Sequence, residues 1–188
     1  MDVKIDYSDK RSRTVSARLI NGSLLVKAPA AMPRERLDKI IDNFKIRFER
    51  RKLREELNRE RPLIEIAAKF NERYFNGKLK INSIEYVTDQ NSKFGCCNYR
   101  DASIRISHRL SRMPEWVRDY VIIHEMAHLI EPNHGRAFWN IVSHYELAER
   151  AKGYLMASFG SAQDAILDEV EGMAVGLDSE NEQDLENS

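Results

Sequence analysis

Residues 121–139 read VIIHEMAHLIEPNHGRAFW. Within this apolar run, His124, Glu125 and His128 place three polar side chains in five positions. Tyr120, Val121, Ile122 and Ile123 precede them, and Met126, Ala127, Leu129 and Ile130 continue the apolar wrap. A helix that is apolar on every side is a buried one. Imidazole and carboxylate groups are kept in such a place only where they have partners.

His124 and His128 are four apart and project from one helix face. Two imidazoles at that spacing can chelate one zinc ion at about 2.0–2.1 Å each. Glu125 sits beside them, placed to reach an activated water rather than the metal, which is the metallohydrolase pattern. All five histidines of the chain fall between His108 and His144, a span of 37 residues, and such clustering suits a site. A catalytic zinc usually has a third protein ligand and one open position. The candidates are His134, His144, His108, Glu146, Glu149 and Cys97. Pro132 ends the helix, Asn133 favours a turn and Gly135 allows a close reversal, so the chain could bend His134 back to the metal. Glu146 and Glu149 lie on the following helix, where a third, carboxylate ligand could come from. Tyr145, His144 and Arg136 are candidates for a second donor to a developing oxyanion.

The rest of the chain is read outward from this helix, which Pro114 opens. A second helix is expected over about 135–150, with Phe138, Ile141, Val142, Tyr145 and Ala148 on one face. Upstream, LKINSIEYVTD (79–89), FGCCNY (94–99) and ASIRIS (102–107) read as the strands of an antiparallel meander. Cys96 and Cys97 would face opposite ways there, as small packing residues. The strand around 94–97 could hold an extended peptide by main-chain pairing. Pro62 starts a helix through Ile66, Phe70 and Tyr74 that stops near Asn76-Gly77. Residues 34–60 form a longer helix, apolar at Leu37, Ile40, Ile41, Phe44 and Phe48 and then highly charged over 45–61. TVSARLINGSLLVKAP (14–29) is a β-hairpin around Asn21-Gly22.

Net charge is zero across the 188 residues, but it is unevenly distributed. Residues 1–80 hold 21 Lys+Arg and 12 Asp+Glu; residues 81–152 hold 9 of each; residues 153–188 hold no Lys or Arg and 9 Asp+Glu. A basic front half makes nucleic acid a candidate partner. The acidic end reads as a partly disordered tail over 156–188, with a short amphipathic helix through Ile166, Leu167, Val170, Met173 and Leu177. No apolar run approaches the roughly 18 residues of a membrane helix, so no membrane role is expected. MDVKIDYSDK lacks the apolar core of a secretory signal, so the expected location is cytoplasmic. Two adjacent cysteines do not make a disulfide framework.

At DYVIIHEMAHLIEPNHGRAFW (119–139) the chain resembles the YgjP-like metallopeptidases, in which HExxH is followed by an Asn-His pair and then Phe-Trp. It is more distantly similar to the SprT-like proteases. Upstream, Phe94-Gly95-Cys96-Cys97 occupies the place of the family's Trp-Gly-Ser-Cys element, departing from it at Phe94 and Cys96. A basic N-terminal hairpin region and His144-Tyr145 extend the likeness over roughly residues 10–150. The resemblance implies an α+β, zincin-like fold with an antiparallel sheet and an HExxH helix, preceded by the hairpin and helices. The expected domain is 1–155, made of a hairpin region (1–32), a helical region (33–78) and a zincin core (79–155). The resemblance further implies zinc held by His124, His128 and His134, with Glu125 as general base. The expected function is a zinc metallopeptidase acting on a peptide or protein. The alternatives are a zinc hydrolase of nucleotide phosphoanhydrides and a nucleic-acid-associated SprT-like protease.

Overall fold

A computed structural model of the chain describes residues 2–159. The amphipathic helix expected over 164–177 and most of the acidic tail lie outside the described residues. The chain divides between Glu55 and Glu56 into two compact units.

The first unit holds strands β1 (Val3–Ser8), β2 (Ser16–Ile20) and β3 (Ser23–Pro29) and most of helix α1 (Arg34–Glu60). β2 and β3 are the hairpin read from the sequence, and its turn puts Asn21 and Gly22 at φ 49° and 79°. Two successive left-handed residues match the strand twist, and Asn-Gly is the pair that adopts them at least cost. β1 was not anticipated; it pairs in parallel with β3, giving the order β1-β3-β2. Leu24, Val26 and Ala28 alternate on one face of the sheet and close a core with Leu37 and Ile41 of α1. Beyond that contact the helix is charged, and pairs such as Lys39–Glu35 (3.0 Å) and Arg51–Glu55 (2.7 Å) run along its exposed side.

The second unit contains α2 (Leu63–Phe75), strands β4 (Ser83–Val87), β5 (Gly95–Asn98) and β6 (Ser103–Ser107), a short 3-10 turn (His108–Arg112), and helices α3 (Glu115–Ala127), α4 (Arg136–Val142) and α5 (Ala148–Phe159). α2 ends where the sequence indicated, with Asn76 left-handed at φ 54°. The three strands do not form an antiparallel meander. β5 and β6 are an antiparallel hairpin, but β4 pairs in parallel with β6, and the order is β4-β6-β5. Parallel neighbours need a connection of a dozen or more residues. Residues 88–102 provide it, and β5 lies inside it. β5 is therefore displaced to the edge of a mixed sheet. On the opposite edge Asn58 brackets Tyr86, accepting from its N–H (2.8 Å) and donating to its carbonyl (3.0 Å).

The expected helix over 135–150 is two helices. Between them the N–H groups of His144 and Tyr145 bond back to Ile141 and Val142 in tight turns. Tyr145 is buried at this break, and its hydroxyl donates to the Trp116 carbonyl at 3.1 Å. No Gly or Pro marks the interruption; burial of one aromatic residue overrides local helix propensity. No helix among the described residues is long and apolar enough to cross a membrane.

Candidate metal centre

α3 runs through the middle of the second unit's core, and ten of its thirteen residues are buried. His124 and Glu125 lie within this buried run, 3% and 6% exposed. After Ala127 the helix tightens: Leu129 and Ile130 bond three residues back, to Met126 and Ala127. The chain then reverses through Pro132 and Asn133, where the Gly135 N–H bonds to the Asn133 carbonyl at 2.8 Å. The reversal carries His134 back over the end of α3.

His124, His128 and His134 form a group whose ligand nitrogens all lie within 4.8 Å of one another. The Nε2 atoms of His124 and His134 face each other at 3.2 Å. Two nitrogens bound tetrahedrally to one zinc at the usual bond length would lie about 3.3 Å apart, so the observed spacing fits an ion shared between them. His128 turns Nδ1 to the Glu131 carbonyl at 3.2 Å. In the tautomer with Nδ1–H donating there, Nε2 would be the nitrogen that holds a metal. Three imidazoles converging in this way are a donor set suited to a divalent ion.

The rings are held by two aromatic residues of α4. Phe138, wholly buried, stacks on His128 at 4.5 Å between centroids and meets His134 edge-on at 4.6 Å. Trp139 stacks on His134 at 5.7 Å, and Lys152 lies over the indole at 4.3 Å. The sequence placed Phe138 on an apolar helix face but did not show that this face is the bed of the imidazoles. Replacing Phe138 with Ala is expected to lower stability by about 3–5 kcal/mol. It should also loosen the histidine group, so added zinc should restore less thermal stability than it gives the parent chain. Thermal unfolding with and without zinc reads both effects.

The other sequence candidates do not join this group. Glu146 pairs with Arg73 at 3.7 Å and Glu149 with Lys152 at 2.8 Å, both carboxylates more than four-fifths exposed. His144 and Arg136 are exposed. His108 opens the 3-10 turn. The Tyr145 hydroxyl is committed to Trp116, and burial pushes its pKa up to about 12. Cys96 is exposed and Cys97 half-buried, facing opposite ways as expected. Burial, and secondarily the negative charge of Glu125, push the Cys97 thiol up to about 12, which leaves it a packing residue rather than a thiolate ligand.

The sequence shows Gly95 but gives it no role of its own. Gly95, at the start of β5, lies directly against Glu125: a Cβ added there would fall 2.6 Å from both Cγ and Cδ of the glutamate. Only a residue without a side chain lets the edge strand approach the carboxylate this closely.

Residues 43–153 match the family described as YgjP-like, metallopeptidase domain. The chain belongs to the YgjP-like family. The match spans the three histidines, Glu125, Gly95 and the two aromatic residues, and begins downstream of the first sheet. Among curated proteins none matches the chain. Among solved structures, the metallopeptidase zymogen abylysin of Pyrococcus abyssi is similar at 17% identity and a TM-score of 0.45, over 51% of this chain and 94% of that one.

Proposed function

We propose that this YgjP-like protein is a zinc-dependent peptidase in which His124, His128 and His134 hold the ion and Glu125 is the general base. The observation that supports this most is the convergence of three imidazoles within 4.8 Å, with a buried glutamate next to one of them on the same helix. A zinc ion bound there would supply Lewis acidity, bringing the pKa of water from 15.7 toward about 7. Glu125 takes the proton of the attacking water and passes it to the leaving amine as the bond to the carbonyl carbon breaks. Because α3 is buried along most of its length, the carboxylate works from a fixed position with little reorganisation. In this reading β5, at the edge of its sheet and adjacent to Glu125 through Gly95, would pair with an extended peptide.

The purified protein is expected to contain about one zinc per chain by elemental analysis, the occupancy of a single three-histidine site. His124→Ala, His128→Ala and His134→Ala should each lose it, while Glu146→Ala and Glu149→Ala should keep it. Full zinc occupancy and affinity in His134→Ala would refute the third ligand. A panel of peptides, proteins and nucleoside triphosphates, run beside Glu125→Gln, identifies the bond that is cleaved. Hydrolysis confined to the triphosphates would overturn the peptidase reading.

A further inference from the structure

The first unit has a chemistry of its own. Residues 1–55 hold fifteen Lys+Arg and eight Asp+Glu, a net +7. The register of its sheet puts Lys4, Asp6, Ser16, Arg18, Leu25 and Lys27 on one face, opposite the face that packs on α1. Arg11, from the β1–β2 connection, folds onto the same face and donates to Ser16 Oγ at 3.2 Å. Arg11, Ser16, Arg18, Leu25 and Lys27 together line a cleft of about 130 Å³.

Three cations around one small cleft repel one another unless an anion sits among them. Their partners within the unit do little to relieve this. Arg11 bonds to the neutral Ser16 hydroxyl and the Thr14 carbonyl. Lys27 has Asp6 at 3.6 Å, with both side chains half exposed. One carboxylate thus stands against three positive charges. Two guanidinium groups and a hydroxyl are donors suited to the oxygens of a phosphate. The volume is well below the roughly 300 Å³ at which small-molecule pockets begin, so the cleft takes one phosphate group rather than a whole nucleotide. Lys4 lies on the same face, and Lys10 and Arg13 belong to the connection that carries Arg11, so positive charge continues past the cleft and favours a chain of phosphates over a single one. Strand alternation places no aromatic side chain on this face, so it has no platform on which bases could stack.

We propose that the outer face of the β1-β3-β2 sheet is a nucleic-acid contact that grips the phosphodiester backbone through Arg11, Arg18 and Lys27, without reading base sequence. The contact is independent of the zinc chemistry and stands or falls separately from it.

The test is binding of a labelled 20-base-pair duplex to the full-length protein, followed by fluorescence anisotropy between 50 and 200 mM salt. Three phosphate contacts predict a slope of log K against log salt of about −2.7, a loss of roughly 40-fold across that range. Two duplexes of unrelated sequence should bind alike. Arg18→Gln with Lys27→Gln should flatten the slope by about 1.8, whereas Lys80→Gln, in the second unit, should leave it unchanged. Asp6→Asn, which removes the opposing carboxylate, should tighten binding at low salt, a gain that misfolding cannot imitate. An unchanged slope in the Arg18/Lys27 double variant would overturn the proposal. So would weaker binding in Asp6→Asn, or displacement of the duplex by polyglutamate as readily as by unlabelled duplex of equal charge.

Discussion

Glu125→Gln is expected to keep the metal and the fold while turnover falls by about 10²–10⁴, the usual contribution of a positioned general base. Gln has the volume and hydrogen-bonding reach of Glu, so the packing around a residue only 6% exposed is preserved. What is lost is the ability to accept a proton. Zinc content and unfolding temperature should match the parent chain, and with KM near its original value the loss should fall on kcat. Parent-like turnover of a zinc-requiring substrate by this variant would remove Glu125 from the mechanism.

Gly95→Ala should produce a loss of similar size from a residue that carries no reactive group. The new methyl would lie 2.6 Å from Cγ and Cδ of Glu125, well inside van der Waals contact. Either the glutamate swings away or β5 moves off α3; in both cases the base leaves its working position. A misplacement of about 1 Å can cost on the order of 100-fold. The metal should stay, because the atoms nearest the new methyl all belong to Glu125 and none to a histidine. Pairing Gly95→Ala with Glu125→Asp shortens the acid by one methylene and makes room for the methyl. Partial recovery in the double variant, relative to Gly95→Ala alone, would show that the defect is steric. Cys97→Ala, two residues along on the same strand face, should change turnover by no more than a few-fold. Full activity in Gly95→Ala would mean that the strand adjusts without disturbing the carboxylate.

Local pattern carried much of the molecule. The Asn21-Gly22 turn, the start of α2 after Pro62, its stop at Asn76 and the burial of α3 follow from residues a few positions apart. A reversal after α3 was also legible, because Pro132, Asn133 and Gly135 allow it, but local pattern left His134 one candidate among six, and it was the family resemblance that singled it out. Each of these features is decided by backbone dihedrals or helical periodicity, quantities that a short window contains.

Pairing across distance was not contained in any window. The alternation in β4, β5 and β6 shows three strands, but nothing local says that β4 skips β5 to lie parallel to β6. That choice sends β5 to the sheet edge and brings Gly95 against Glu125, thirty residues away. Likewise Tyr145 breaks the expected long helix only because its ring and hydroxyl are taken up by the core and by Trp116. By itself the sequence determined the histidines, their spacing and the helix that carries them, because those follow from covalent geometry. The tertiary structure alone decided what surrounds them: the stacked Phe138 and Trp139, the glycine beside the base and the exclusion of Glu146 and Glu149. Side-chain packing is a property of elements brought together from distant parts of the chain, and it exists only once they have met.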